Sequence, residues 1–139
     1  MKKLLGIVVL AFLYSGNAYS EEIILNCEFD QGHIVWGDGE IEFINNTNPV
    51  KPTNKTLRIN SKKKELFKRV DDISPIDKNR VLWTDKEIKW FFNNDVLSID
   101  TNLNRYTGSL VESVNFKPKT AKIISTTYTY NCKKEEKKF

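Results

Sequence analysis

The two cysteines are the residues with the clearest chemistry in this chain. Cys27 and Cys132 stand near opposite ends of the sequence and are its only cysteines. Thiols can form a disulfide, bind a metal or act as nucleophiles. Their spacing fits no C-x-x-C motif, and the single histidine, His33, does not complete a zinc site with them. We therefore expect a structural disulfide, which requires an oxidising compartment.

Carboxylates are the second group that could do chemistry. They are scattered along the chain as Glu28, Asp30, Asp38, Glu40, Glu42, Asp85, Glu87, Asp95, Asp100 and Glu112. A glycosidase-like pair stays open, because its criterion is the distance between two carboxyl groups. The sequence has no G-x-S-x-G elbow, Gly-rich phosphate loop or paired-His metal motif. We expect no catalytic residue, no cofactor and no metal site, and we interpret His33 as structural.

The beginning of the chain is typical of a secretory signal peptide. Lys2 and Lys3 precede an apolar run over residues 4–13, and the small residues Ala18 and Ser20 fit a cleavage site. The run is too short to span a bilayer, which takes about 20 residues. We therefore expect a bacterial protein that is periplasmic or secreted, with no membrane span after cleavage.

Length and charge predict one mature domain. We expect a signal peptide over residues 1–20, a β domain over 21–132 and a charged tail over 133–139. The formal charge of the whole chain is +4, and it falls to +2 once Lys2 and Lys3 leave with the leader. Nucleic-acid binders usually carry a concentrated basic face, so we expect no nucleic-acid partner.

Both ends of the mature chain alternate like half-buried strands. Leu25, Cys27 and Phe29 share one face, and the expected last strand, residues 121–132, places Cys132 on a face with tyrosines. A disulfide between these strands would join the first to the last. The sequence therefore predicts an all-β, antiparallel, mostly up-and-down barrel or sandwich of 7–8 strands, which leaves few exposed edges.

The middle of the chain predicts a meander with a buried aromatic face. Two-residue turns at Asp85–Lys86 and Asn93–Asn94 would fix the strand register. They would pair Trp83 with Ile88, Val81 with Trp90, Trp90 with Leu97, and Ile88 with Ile99. All these side chains then share one face, and we expect Trp83, Trp90 and Phe92 to be core aromatics.

The opposite face of the same meander holds an apolar group. Leu82, Phe91 and Val96 would form an exposed patch if the sheet is single-layered there. Patches of this kind mark partner or ligand sites when they exceed a few hundred Å². We take these three residues as the candidate binding patch, the alternative being that they pack beneath a loop.

Residues 62–70 are compatible with two structures. Leu66 and Val70 are four apart, as in a helical turn, whereas the alternation of Leu66, Lys68 and Val70 suits a strand. We expect a strand after a turn at residues 61–63, and Ser74–Pro75 should break whatever precedes it.

The predicted hairpin turn at Arg105–Gly108 is part of a short motif that resembles one found in other proteins. Asn104-Arg105-Tyr106-Thr107-Gly108, followed by Cys132, resembles a signature of small secreted bacterial proteins of unassigned role. In those proteins an Asn/Asp-Arg-x-Thr-Gly turn precedes a last strand that carries a cysteine. The resemblance implies a small β domain and implies no activity, ligand or catalytic residue.

These features together favour a non-catalytic binding domain. We expect an exported β domain that binds an envelope protein or a small apolar ligand at the barrel mouth. Two alternatives remain open at this point, a hydrolase that uses scattered carboxylates and a structural envelope protein.

Overall fold

The computed structural model describes residues 22–118 and 121–135, so the predicted leader and the last four residues of the predicted tail lie outside it. Nine antiparallel strands account for most of the described chain. They are β1 (Ile23–Trp36), β2 (Ile41–Asn45), β3 (Lys55–Asn60), β4 (Glu65–Phe67), β5 (Val81–Trp83), β6 (Glu87–Asn93), β7 (Leu97–Asn104), β8 (Ser109–Phe116) and β9 (Ile123–Lys134).

The strands form one nearly closed barrel. Its order is β4-β3-β1-β9-β8-β7-β6-β5, and β2 pairs with β1 off this path. The last five strands run up and down in sequence order. The long β1 pairs along one edge with β9, and its other edge is shared by β3 and β2. The predicted all-β antiparallel class is confirmed, with eight strands in the barrel.

The disulfide joins the first strand to the last, as predicted. Cys27 and Cys132 are bonded and face each other directly across β1 and β9, with their Cα atoms 3.9 Å apart. The N–H of Cys132 donates instead to the carbonyl of Gly108 on the β8 side. The cysteines therefore form a non-hydrogen-bonded pair, in which the side chains approach most closely.

The hydrophobic core is one cluster of buried residues that includes both bonded cysteines. Seven different strands each contribute one of the fully buried side chains Leu25, Ile59, Leu66, Ile88, Leu103, Leu110 and Tyr130. Trp90 is buried, whereas Trp83 and Phe92 are half-buried against the core or its rim. Alternation along each strand sends these side chains inward, and this inward set is what excludes water from the sheet interior.

The predicted register of β5 and β6 is confirmed, and that of β6 and β7 is wrong. Trp83 pairs with Ile88 as expected, but Trp90 pairs with Thr101 and not with Leu97. The turn lies two residues later than predicted, at residues 95–96. Its cause is Asn94, whose Oδ1 accepts the N–H groups of the two residues that follow Asp95. Because the shift is even, the same side chains still face inward.

A bulge allows β1 to curve around the barrel. The register with β9 shifts between Phe29 and Gln31, so Asp30 has no direct partner there. Beyond the bulge, Gly32 lies against Tyr128, and a Cβ at Gly32 would come within 2.5 Å of the Tyr128 ring and of a backbone carbonyl. Only glycine leaves room for the tyrosine at this point.

Three residues of the predicted hairpin turn, Asn104, Arg105 and Gly108, have a physical role in the structure. The Oδ1 of Asn104 accepts the N–H groups of Tyr106 and Thr107, and Gly108 has a left-handed φ of 75°. The guanidinium of Arg105 donates to the carbonyl of Thr84 at 2.9 Å. The turn therefore ties the β7–β8 hairpin to the β5–β6 hairpin as well as to the strand of Cys132.

Several element ends differ from the sequence prediction. The strand expected within residues 62–70 is only β4, because a turn over residues 61–64 and bends after Phe67 flank it. Strand β9 runs through Lys134, two residues into the predicted charged tail. The 3₁₀ turn Lys78–Arg80 supplies the helical structure of residues 22–118 and 121–135, where no helix has the length and apolar character to cross a membrane.

Candidate functional site: a pocket at the barrel seam

The barrel has a seam where no strand pairing closes it. Strands β4 and β5 are the two ends of the sheet, and both are only three residues long. The connecting segment, residues 68–80, covers the gap between them. It is held by the N–H of Ile76, which donates to the carbonyl of Leu66 at 2.8 Å, and by Asp77, which caps the short 3₁₀ turn. Backbone contacts of a loop therefore replace a sheet ladder here.

A cavity of about 340 Å³ lies between this segment and β6. Its size falls in the range of small-molecule sites. The residues that line it are Lys68, Asp72, Ser74, Pro75, Ile76, Asp77, Arg80, Trp90, Phe91 and Phe92. We call this cavity the seam pocket.

Three consecutive aromatic residues form one wall of the seam pocket. Trp90 is buried, Phe92 is half-buried, and Phe91 is 51% exposed. Neighbouring residues of a strand point to opposite faces, so three in a row line one cavity only where the sheet ends. That condition holds here because β5 pairs with β6 only as far as Trp90, opposite Val81.

Two cations lie near the half-buried ring of Phe92. The Nζ of Lys68 lies 6.0 Å, and the guanidinium carbon of Arg80 5.7 Å, from the centroid of Phe92. Neither makes a salt bridge with a residue in the described part of the chain. By contrast, Asp72 accepts the N–H of Arg69, and Asp77 accepts that of Asn79. Asp72 and Asp77 therefore stabilise turns through their carboxylates, whereas Lys68 and Arg80 have no carboxylate partner in the described chain and could bind an anion.

Arg58 on β3 anchors the segment of residues 68–80 to the sheet. Its two terminal nitrogens donate to the carbonyls of Val70 and Asp72 at 3.0 and 2.8 Å. The guanidinium carbon also lies 3.9 Å from the ring centroid of Phe67, and Nε is 3.7 Å from a carboxylate oxygen of Glu22. One side chain therefore links the loop, β4 and the start of the described chain.

The structure places the residues of the predicted patch in two locations. Leu82 and Phe91 are both exposed on the outer face, and Leu82 pairs with Lys89, two residues from Phe91 on β6. Val96 is 55% exposed at the tip of the β6–β7 turn, because that turn falls at residues 95–96. Phe91 belongs to the seam pocket, whereas Leu82 and Val96 are not among its lining residues.

A polar cluster inside the barrel was not singled out by the sequence. Lys55 reaches Glu112 at 2.6 Å, and its Nζ lies 5.4 Å from the Tyr130 ring centroid. The hydroxyls of Tyr130 and Thr101 are buried with no hydrogen-bond partner among the described residues. Burial, and then the charge of Glu112, raises the pKa of the Tyr130 phenol. The available signal was Glu112 itself, which stands at an inward position between Leu110 and Val114.

The other candidate groups lie apart from the seam pocket. His33 is on the outer face of β1, with its ring centroid 6.2 Å from that of Phe43. Asp38, Glu40 and Glu42 line a second cavity, of about 660 Å³, at the β1–β2 turn. Within residues 22–118 and 121–135, no group of three or more His, Cys, Asp or Glu side chains is placed to hold a metal ion.

Comparison with known proteins adds no further constraint. No protein-family model matches the chain, and no curated protein or solved structure matches it either.

Proposed function

We propose that this is an exported, non-catalytic binding protein whose seam pocket takes a small ligand with a flat apolar body and an anionic group. The aromatic wall of Trp90, Phe91 and Phe92 supplies the surface for the apolar body. Lys68 and Arg80 supply the positive charge for the anion. The observation that carries the proposal is the placement of these two cations over one ring without a carboxylate partner in the described chain.

Export is supported by the leader-like first twenty residues and by the disulfide. A Cys27–Cys132 bond persists in an oxidising compartment, such as the periplasm or the cell exterior. A non-catalytic role is supported by the use of the pocket acids. Asp72 and Asp77 cap turns through their side chains, so their structural task is already defined.

The test uses 2-naphthalenesulfonate, a flat apolar anion, as the probe. Titration calorimetry should detect binding to the wild type, and Phe91→Asp should abolish it because a carboxylate would face the anion in the pocket. Leu82→Asp is the matched control, since Leu82 is similarly exposed, on a neighbouring strand and outside the pocket. Both variants should keep the melting temperature of the wild type, because exposed positions rarely change stability by more than about 0.5 kcal/mol.

A neutral probe separates the two parts of the proposal. Lys68→Ala and Arg80→Ala should weaken binding of the sulfonate and leave that of 2-naphthol unchanged. Equal affinity of the wild type for the sulfonate and for 2-naphthylmethylammonium would refute the anion preference. Equal loss in Phe91→Asp and Leu82→Asp would move the site out of the seam pocket onto the outer face, where a protein partner would fit better.

A further inference from the structure

The inward faces of β1, β7 and β8 change in burial along their length. Near the disulfide they carry the fully buried side chains of Leu25, Leu103 and Leu110. Farther along the same faces, the apolar side chains are only half-buried. They are Ile34 on β1, Leu97 and Ile99 on β7, and Val114 and Phe116 on β8. Among the described residues, these five side chains therefore form an apolar cup that solvent enters from the end of the barrel away from the disulfide.

A polar cluster lies at the floor of the apolar cup. Glu112 is an inward residue of β8, two positions before Val114, and its cross-strand partner on β7 is Thr101. The Nζ of Lys55 contacts a carboxylate oxygen of Glu112 at 2.6 Å and lies 5.4 Å from the centroid of the Tyr130 ring. These contacts link an ion pair and two hydroxyl groups inside the barrel.

The two hydroxyl groups of this floor lack a partner. Tyr130 is 0% exposed and Thr101 is 3% exposed, and neither hydroxyl has a hydrogen-bond partner among the described residues. Native proteins pair nearly all such buried groups, because an unpaired one is destabilising. The side chains of Lys55 and Glu112 are 33% and 19% exposed, so solvent does reach the ion pair. A molecule in the cup would contact this pair first and reach the hydroxyls once the flexible Lys55 side chain rotates aside.

We propose that the apolar cup is a second binding site, for an uncharged apolar molecule that ends in a hydroxyl group. The apolar body would lie against the half-buried side chains of the cup. The ligand hydroxyl would accept hydrogen bonds from the hydroxyls of Thr101 and Tyr130 and donate one to the second carboxylate oxygen of Glu112. An alcohol supplies one donor and two acceptor lone pairs, so this arrangement uses its full capacity.

The charges at the floor favour an uncharged end group. Lys55 and Glu112 already neutralise each other, and the other salt bridges of the described chain involve neither of them. A carboxylate placed there would face Glu112, and an ammonium would face Lys55. Either ion would lose its water without gaining a counter-ion, which is costly. The cup therefore differs from the seam pocket, whose two cations have no carboxylate partner in the described chain.

Three probes with one alkyl chain test the end group: 1-octanol, octanoate and octylammonium. Titration calorimetry at neutral pH uses the Phe91→Asp variant, so that the seam pocket does not contribute a site for the anion. We expect 1-octanol to bind at least about tenfold more tightly than either ion, because an ion would be desolvated without a partner. Equal affinities, or no binding of 1-octanol, would overturn the proposal.

A variant of the floor locates the site. Thr101→Val removes one hydroxyl and keeps the shape of the side chain, so it should weaken binding of 1-octanol about tenfold, the net value of one hydrogen bond. The fold should persist by circular dichroism, because the lost hydroxyl has no partner in the described chain. Thr127→Val is the matched control, since Thr127 lies opposite His33 on the outer face of the sheet, and it should bind 1-octanol like the wild type.

Two outcomes would move the alcohol elsewhere. Equal affinity of Thr101→Val and Thr127→Val for 1-octanol would show that the floor takes no part and would overturn the proposal. A wild type that binds 1-octanol and a Phe91→Asp variant that does not would place the alcohol in the seam pocket, with the same consequence. The proposal does not depend on ligand binding at the seam pocket, which the naphthalene probes test separately.

Discussion

The barrel is closed in two different ways on its two sides. Strands β1 and β9 pair from Leu25 to Trp36 and carry the disulfide within the ladder. At the seam, three-residue strands end the sheet, and residues 68–80 bridge the gap through a few backbone and side-chain contacts. One side is closed by a ladder and a covalent bond, the other by a covering segment.

The two closures show how a small barrel can be stable on one side and leave room on the other for the binding site that we propose. Regions with long ladders and buried apolar contacts open only with global unfolding, whereas short edges and loops open at lower free energy. The side that β1 and β9 close, which we call the firm side, includes Cys27, Cys132 and Tyr130 among its buried residues. The aromatic wall of the seam pocket is on the other side, where residues 68–80 can shift without breaking a ladder.

The largest expected effect comes from removing the covalent bond on the firm side. The bond closes a loop of 105 residues, and the chain-entropy model assigns about 4.7 kcal/mol to a loop of this length. The double variant Cys27→Ala with Cys132→Ala should therefore lose several kcal/mol of unfolding free energy in urea denaturation. Alanine avoids placing a hydroxyl at two buried positions.

Urea denaturation also compares the stability that each side contributes. Phe91→Asp at the seam should stay within about 0.5 kcal/mol of the wild type. A loss below about 1 kcal/mol in the double cysteine variant would show that the ladder alone holds the firm side. The difference in stability between the firm side and the seam would then come from strand pairing and not from the disulfide.

The firm side was largely predictable from the sequence. Alternation around Cys27 and Cys132 placed both on inward faces, and with two cysteines only one bond is possible. The Asn93–Asn94 pair predicts the β6–β7 turn two residues too early, because the Asn94 side chain accepts two backbone N–H groups and so starts the turn. Side-chain capping of this kind depends on a rotamer, which strand alternation does not encode.

The seam was not predictable in the same way. The sequence showed that Trp90, Phe91 and Phe92 are adjacent, and alternation assigned Phe91 to the outer face. It did not show that β5 stops opposite Trp90, which brings all three rings to one cavity. Lys68 and Arg80 belong to a segment with no strong period, so their placement over Phe92 depends on tertiary contacts from Arg58 and Leu66.

An intermediate effect is expected at Arg58, which secures the seam. Arg58→Ala removes two charge-assisted hydrogen bonds to backbone carbonyls and the contact with the Phe67 ring. Two hydrogen bonds to a charged group would contribute at least about 3 kcal/mol if fully buried, but the Arg58 side chain is 22% exposed and solvent weakens them, so we expect a loss of about 2 kcal/mol. Hydrogen exchange should show faster opening of residues 68–80 in this variant, with β1 and β9 less affected. Equally faster hydrogen exchange in residues 68–80 and in β1 and β9 would contradict the view that the seam opens independently of the firm side.

The smallest effect is expected on the firm side, at the buried phenol of Tyr130. In the native state, burial and the nearby Glu112 raise its pKa, whereas a tyrosine in the unfolded chain ionises near pH 10. The folded state therefore keeps a proton that the unfolded state releases above about pH 10. The stability contribution is fully present below that pH and is lost as pH rises, by about 1.4 kcal/mol per pH unit at most.

Tyr130→Phe should remove this alkaline dependence. At about pH 8 the variant should match or exceed the wild type, because the Tyr130 hydroxyl is buried with no hydrogen-bond partner in the described chain. At about pH 11 it should be the more stable of the two in urea denaturation. Tyr128→Phe is the control, since Tyr128 is only half-buried and its pKa is also raised by burial, so it should flatten the profile less. Identical slopes for the wild type and Tyr130→Phe would mean that water reaches the phenol, and the firm side would then be as open to solvent as the seam.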